Sequence, residues 1–239
     1  MMQYLMVLNE NSSKWEQVML VSFHCGYMGH FDYSGLRECL ERIEKEASFQ
    51  GKFHVISLLR DPVKRFASEF RFIQKHGIIW KLSTNSKCNN DILFTSCYPN
   101  KNHVELSLND FILCKNNAAT NRQTRMLADY KNDCSLLSTN KKKILIENAK
   151  KVLMSFTFFG LTEYEDESEE LFIWTYKRKF KFSGRPRRHN QNATNNFIKT
   201  LKNESLEMIN QSNDLDIELY QFAKKIFFQR LNSYRNISV

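Results

Sequence analysis

The sequence is poor in the two residues that most often interrupt regular structure: it has 7 glycines and 3 prolines in 239 residues. That scarcity excludes a collagen-like repeat and a chain dominated by flexible linkers. No internal repeat of solenoid or propeller period is present. There is no apolar run of the roughly 18 residues that a membrane-crossing helix needs. Met1 to Leu8 is too short, and lacks the basic flank, to serve as a signal peptide. Cys-x-x-Cys pairs and zinc-ligand spacings are missing too, so no metal is expected.

What is present is a chain able to build a core. Hydrophobic residues make up 42% and aromatic residues 13%, which removes intrinsic disorder as an explanation. The length suits one domain, taken as residues 1–239. The net charge of +9 favours an anionic partner: nucleic acid, an acidic glycan, a nucleotide or a membrane surface. Part of that charge sits in local clusters, Lys141-Lys142-Lys143 and Arg185 to Arg188, which read equally as solvated surface. No helix-turn-helix, finger or RNP-like motif supports a nucleic-acid partner.

Six cysteines stand at positions 25, 39, 88, 97, 114 and 134. Asn-x-Ser/Thr sequons begin at Asn11, Asn192, Asn203, Asn210 and Asn236. An even cysteine count together with sequons leans toward an oxidising, lumenal setting. Spacing does not decide the connectivity. We expect Cys25–Cys39, Cys88–Cys97 and Cys114–Cys134, with free buried thiols in a cytosolic protein as the competing reading.

Strand-like and helix-like stretches alternate. Val18 to Phe23 and Lys52 to Leu59 read as strands, and Ser34 to Ala47 as an amphipathic helix between them. Pro62 suits the first turn of a helix running to about Lys75. Ile78 to Glu105 reads as a long polar excursion. Helices are expected over Ser107 to Lys115, Asn121 to Tyr130 and Asn140 to Leu153, and a strand over Phe156 to Leu161. Glu163 to Phe180 reads as a helix and Ser183 to Asn196 as a basic loop. Two further helices follow, Asn196 to Ile209 and Asp214 to Tyr234. In the last, Leu219, Phe222, Ala223, Ile226 and Phe227 form the expected buried stripe. This alternation predicts an α/β fold with a parallel sheet.

The most informative stretch is Leu58 to Phe70, LLRDPVKRFASEF. A buried strand ending on Arg-Asp-Pro and running into a helix sets Arg60 at a strand's carboxyl end, where ligands of open α/β sheets bind. Ser68 follows about two helical turns on. A guanidinium fork and a hydroxyl can together hold one phosphate; helix capping and surface pairing are the plainer alternative.

Six blocks in order resemble the heparan sulfate 6-O-sulfotransferases. They are LLRDPVKRFASEF, then TSCYP at Thr95 to Pro99 and NRQTRMLAD at Asn121 to Asp129. FFGLTE at Phe158 to Glu163, NDLDIELY at Asn213 to Tyr220 and AKKIFFQR at Ala223 to Arg230 complete the set. The resemblance implies a P-loop-like parallel sheet flanked by helices. It also implies transfer of a sulfuryl group from 3′-phosphoadenylyl sulfate (PAPS) to the 6-hydroxyl of glucosamine in heparan sulfate. His30, in Met28-Gly29-His30-Phe31-Asp32-Tyr33, would be the general base. Arg60 and Ser68 would hold the 3′-phosphate. His189, Asn190, Gln191, Asn195 and Asn196 would contact the nucleotide. Trp80 would face the sugar acceptor, as would Phe72 and Cys25, where the family carries His and Trp. Asn121, Arg122 and Arg125 fit a supporting or a functional role equally well. A complete member would be a single-pass type II membrane protein of the Golgi lumen.

One family feature has no counterpart. The Gln-Lys-Thr-Gly-Gly-Thr loop, which cradles the 5′-phosphosulfate at a helix N-terminus, does not occur. The anchor and stem do not occur either. The resemblance therefore implies a chain lacking its first strand, phosphate loop and membrane anchor. A non-catalytic heparan sulfate- or heparin-binding pseudoenzyme of the same fold is the alternative.

Overall fold

Two of the apolar runs that read as strands, those ending at Leu59 and Leu161, form paired strands. In the computed structural model, the residues described are 5–9, 33, 37, 38, 41, 45, 53–76, 105–114, 117, 119–128, 139–177 and 187–237. Three strands form one sheet in the order β1 (Leu5–Asn9), β2 (Phe53–Leu59), β3 (Phe158–Leu161). β2 and β3 are parallel, with Ile56 opposite Phe158 and Leu59 opposite Leu161. The pairing runs one step further, because Thr162 N–H donates to Leu59 O at 2.9 Å. The parallel pair agrees with the α/β expectation. β1 was not foreseen: it lies antiparallel on β2, Leu5 opposite Ser57 and Asn9 opposite Phe53. Its pairing satisfies the ladder groups on the second edge of β2, which would otherwise be open. The strand expected over Val18 to Phe23 lies outside the described residues.

Eight helices are labelled here in chain order among the described residues. They are α1 (Pro62–His76), α2 (Leu108–Leu113), α3 (Arg122–Leu127), α4 (Thr139–Ser155), α5 (Glu165–Tyr176), α6 (Arg187–Lys199), α7 (Asn203–Ser212) and α8 (Asp214–Ile237). Tyr33, Arg37, Glu38, Glu41 and Lys45 are also helical, as the periodicity of that stretch predicts. Local chemistry explains several starts. Asp61 caps α1 by accepting the Lys64 N–H at 2.9 Å, and Pro62 opens the helix where an N–H is not needed. Ser107 caps α2 by accepting from Asp110 N–H at 3.1 Å. Glu165, Asp166 and Glu167 place negative charge at the positive end of α5.

Two expectations change. The stretch read as a basic loop is helical from Arg187 to Lys199. The reason is tertiary: Phe197 stacks on Phe70 of α1 at 5.8 Å, so one side of α6 is apolar although its composition is polar. The helix expected over Asn196 to Ile209 is broken between α6 and α7. There the Thr200 hydroxyl donates to Phe197 O at 2.7 Å, a side-chain bond that competes with continued helix, and Lys202 turns extended.

The apolar side chains form two cores. The first joins β2 and β3 to α4, α5 and α8 through Ile56, Leu59, Phe158, Phe172, Leu219 and Phe227, among others. In α8 the buried stripe is Leu215, Leu219, Tyr220, Ala223, Phe227 and Leu231, with Phe222 and Ile226 at its margin. The second joins α1, α2 and α7 through Phe66, Phe70, Ile73, Phe111 and Ile209. Cys114, just after α2, is disulfide-bonded, and its expected partner Cys134 lies outside the described residues.

β3 packs tightly against α5 because Gly160 has no side chain. A Cβ there would stand 2.7 Å from Leu58 Cδ2 and 3.1 Å from Ser168 Oγ. The Ser168 hydroxyl is itself fixed, accepting from Leu161 N–H at 2.9 Å and donating to Leu161 O at 3.1 Å. Gly160→Ala is therefore expected to destabilise the protein by about 1–3 kcal/mol through overpacking. Urea denaturation measures it, and an unchanged midpoint would mean that Leu58 and Ser168 yield freely.

Candidate functional site

Arg60 follows the last residue of β2, and its main chain is held by a side chain. Its N–H donates to Gln123 Oε1 and its C=O accepts from Gln123 Nε2, both at 2.9 Å. The glutamine amide thus replaces a neighbouring strand where the sheet ends. The next peptide is also held, since Asp61 N–H donates to Glu163 Oε2 at 3.0 Å. The Tyr220 hydroxyl donates to the same oxygen at 2.7 Å, and the Thr162 hydroxyl to Glu163 Oε1 at 3.2 Å. Glu163 lies just beyond β3, so the ends of two parallel strands converge here.

Charge is concentrated at this point. Arg60 is buried, and burial lowers its pKa; the Glu163 carboxylate opposes that, Arg65 adds to it, and Asp61 opposes it. Two carboxylates thus counter the cost of holding a cation out of water. Burial, and then the Glu163 charge, pushes the Tyr220 hydroxyl far up, so it serves as a donor.

The remaining expected residues fall into three groups. Ser68 and Phe72 lie on α1, both half-buried. Asn195 is half-buried and Asn196 exposed on α6, which packs along α1. The helix carrying Ser68 and the helix carrying the asparagines are therefore neighbours, and Arg71 of α1 lies 5.9 Å from the Phe197 ring centroid. His189, Asn190 and Gln191 belong to the backbone of α6, and the described residues say nothing of their side chains. His30, Trp80 and Cys25 lie outside the described residues. Tyr33, close to His30 in sequence, packs on Phe156 of the first core at 5.8 Å.

Behind the site lies a buried polar network. Arg65 Nη1 donates to Glu69 Oε2 at 3.0 Å, and Nη2 to Ala119 O at 2.6 Å and Asn213 Oδ1 at 2.7 Å. Its Nε lies 3.5 Å from Asp216 Oδ2. Arg122 binds the Glu69 carboxylate through both Nε and Nη2. Asp216, fully buried, accepts from Gln123 N–H at 3.1 Å and Thr124 N–H at 2.7 Å, capping α3 from α8. Asn121 returns the favour: its Oδ1 accepts from Leu215 and Asp216 N–H at 3.0 and 3.1 Å, capping α8. For this Asn121 takes a left-handed conformation, φ 48°, which asparagine tolerates well.

Asn121 and Arg122 thus make framework contacts. Gln123, Glu163 and Tyr220 were missed as site residues. The signal for Glu163 was present: FFGLTE ends a strand parallel to β2, and adjacent strand ends face one crevice. No pattern marks a glutamine as a partner of main-chain groups 63 residues away.

An α/β framework that presents a buried arginine at a strand end and a serine on the helix that follows is suited to an anionic ligand. Comparison with known proteins gives that class its family. Residues 1–223 match the sequence model of the sulfotransferase family, and the chain belongs to that family. It is 36% identical over 218 residues to heparan-sulfate 6-O-sulfotransferase 1-B of Danio rerio, covering 86% of this chain and 52% of that protein. Heparan-sulfate 6-O-sulfotransferase 1 of Homo sapiens is 34% identical over 226 residues, covering 89% and 53%. The chain spans about half the length of the curated relatives it matches.

The network also makes a pH prediction. Burial raises the Glu69 pKa, but Arg122 and Arg65 outweigh it and hold the carboxyl below its ordinary 4.5. A carboxyl depressed by folding adds stability above its unfolded pKa and loses it as pH falls through the folded one. Glu69→Gln leaves two guanidinium groups short of a partner and is expected to cost about 3–5 kcal/mol near neutrality. The gap to wild type should narrow as pH falls below about 4.5. Urea midpoints across that range check it; a gap independent of pH would contradict the assignment.

Proposed function

We propose that this protein takes part in sulfuryl transfer from PAPS to the 6-hydroxyl of glucosamine in heparan sulfate. The observation that carries the reading is Arg60 at the end of β2, with Ser68 on the helix that follows, in a chain of the sulfotransferase family. The names of its relatives supply the acceptor and the position on it.

In this reading the Arg60 guanidinium and the Ser68 hydroxyl bind the 3′-phosphate of the donor, and Asn195 and Asn196, with His189, Asn190 and Gln191, line the nucleotide. The donor set fits a phosphate: a fixed cation for the charge and a half-buried hydroxyl for a second oxygen. His30 accepts the proton of the glucosamine 6-hydroxyl as its oxygen attacks sulfur in line. The bond from sulfur to the phosphate oxygen breaks, and that oxygen leaves on adenosine 3′,5′-bisphosphate. Trp80, Phe72 and Cys25 face the acceptor, and an aromatic face suits a pyranose ring.

A Golgi-lumenal setting completes the reading. The sequon residues Asn192, Asn203, Asn210 and Asn236 are all exposed, which glycosylation requires, and Cys114 is disulfide-bonded. Among the described residues no helix is long and apolar enough to cross a membrane. N-glycosidase treatment of the secretory-pathway protein is expected to increase its gel mobility; an unchanged band would remove the lumenal assignment.

The reading is tested on binding and on chemistry separately. Adenosine 3′,5′-bisphosphate should raise the melting temperature of the chain, and Arg60→Ala should abolish that shift. In a form that carries the family's 5′-phosphosulfate loop, His30→Ala should remove transfer to heparan sulfate while the bisphosphate still binds. Measurable sulfation by that variant would take His30 out of the role.

A further inference from the structure

A segment at a strand end is mobile unless something fixes its main chain, and a ligand that must first order the segment carrying its binding group loses affinity. The described structure holds the Arg60 segment from two directions. Gln123 takes both polar groups of the Arg60 main chain, at 2.9 Å each. Glu163 takes the N–H of the following peptide at 3.0 Å, and is itself held by Tyr220 and Thr162. Neither contact belongs to regular secondary structure. Both come from distant parts of the chain, the start of α3 and the end of β3.

Glu163 is the more telling of the two. A carboxylate beside an anion-binding arginine repels the anion, so by charge alone it weakens the site. Its geometry gives it a different use, since its acceptors are taken up by a main-chain N–H and two hydroxyls. Gln123 is placed by Asp216, which accepts its N–H at 3.1 Å and is fully buried, so the clamp rests on the rigid network behind it.

The geometry points to Gln123 and Glu163 as positioning residues that preset Arg60 for the 3′-phosphate of the donor nucleotide. The inference rests on the reading of Arg60 as a phosphate ligand and adds how that ligand is held. Gln123 fixes where the strand ends, Glu163 fixes the turn into α1, and the guanidinium departs from a main chain that cannot shift. Neither residue touches the nucleotide.

The test compares adenosine 3′,5′-bisphosphate with adenosine 5′-monophosphate, which lacks the group Arg60 would hold. Calorimetric affinities are measured for the wild-type chain, Arg60→Ala, Gln123→Met and Glu163→Ala, with a melting curve for each. Wild type should prefer the bisphosphate and Arg60→Ala should lose the preference. Gln123→Met and Glu163→Ala should each weaken bisphosphate binding by about tenfold and leave monophosphate binding unchanged. Bisphosphate binding that stays at wild-type strength in both, with Arg60→Ala defective, overturns the inference and leaves the reading of Arg60 standing. Tighter bisphosphate binding by Glu163→Ala also overturns it, because Glu163 would then act only as a repelling charge. Equal weakening toward both nucleotides, in step with a lower melting temperature, assigns the pair a structural role and overturns it too. A wild-type chain without preference, or an Arg60→Ala that keeps it, removes the reading of Arg60 and the inference together. Gln123→Met leaves buried main-chain groups unpaired; if it does not fold, Glu163→Ala decides, because Asp61 is partly open to water.

Discussion

A buried guanidinium, that of Arg65, ties together the two cores of the described residues. It projects from α1, whose apolar face builds the second core, and reaches Asp216 and Asn213 at the start of α8, whose apolar face builds the first. Removing such a cation from water costs several kcal/mol, and only well-placed acceptors recover it. Burial pulls its pKa down while Asp216 and Glu69 pull it up. Here the hydrogen-bond acceptors are Glu69, Ala119 and Asn213, with the Asp216 carboxylate 3.5 Å from Nε as an ion partner, drawn from three separated parts of the chain. Two greasy cores could slide past one another at little cost. A charged seam between them cannot, because any slip leaves a buried charge without its partner.

The site inherits its geometry from that seam. Asp216 caps α3, α3 presents Gln123, and Gln123 holds the main chain of Arg60. Asp216, Gln123 and Arg60 are all buried, whereas Ser68 and Asn195 are half-buried and Asn196 exposed on helix faces. The parallel pairing of β2 and β3 supplies the second half of the arrangement. It brings Arg60 and Glu163 to one end of the sheet, so that one strand carries the cation and the other the carboxylate that fixes the turn beside it.

Much of this was legible from the residues, and the limits have physical causes. β2, α1, β3 and the stripe of α8 follow from periodicity and from Pro62 and Asp61, because in those segments local preference and tertiary burial agree. The framework role of NRQTRMLAD was half visible: its polar residues were noticed, but their partners lie on α1 and α8, and pairing across such distances leaves no mark in one sequence. α6 was misread for the opposite reason. Its asparagines and arginines argue for a loop, and a single phenylalanine stacked on Phe70 outweighs them. β1 was missed because Leu5 to Asn9 is too short to distinguish a strand from an apolar terminus without its partner. The placement of Arg60 at a strand end and Ser68 on the following helix was legible early, since strand, Arg-Asp-Pro and helix is a pattern that local chemistry dictates. The contacts of Gln123 and Glu163 were not, since each pairs with main-chain groups distant in sequence.

That difference bears on how such a site evolves. A residue that touches a ligand is constrained by the ligand's shape and charge, and its type is correspondingly specific. A residue that clamps main-chain N–H and C=O groups is constrained only by reach and by the need for a donor and an acceptor together, which among side chains limits the choice at position 123 to an amide of the right length. Glu163 is constrained more tightly, because it must accept three donors and still offset a buried cation. Replacement by glutamine would keep the shape and lose the charge, while aspartate would keep the charge and lose the reach. Two residues whose side chains hold main-chain groups can therefore be nearly as restricted as the buried arginine whose segment they support.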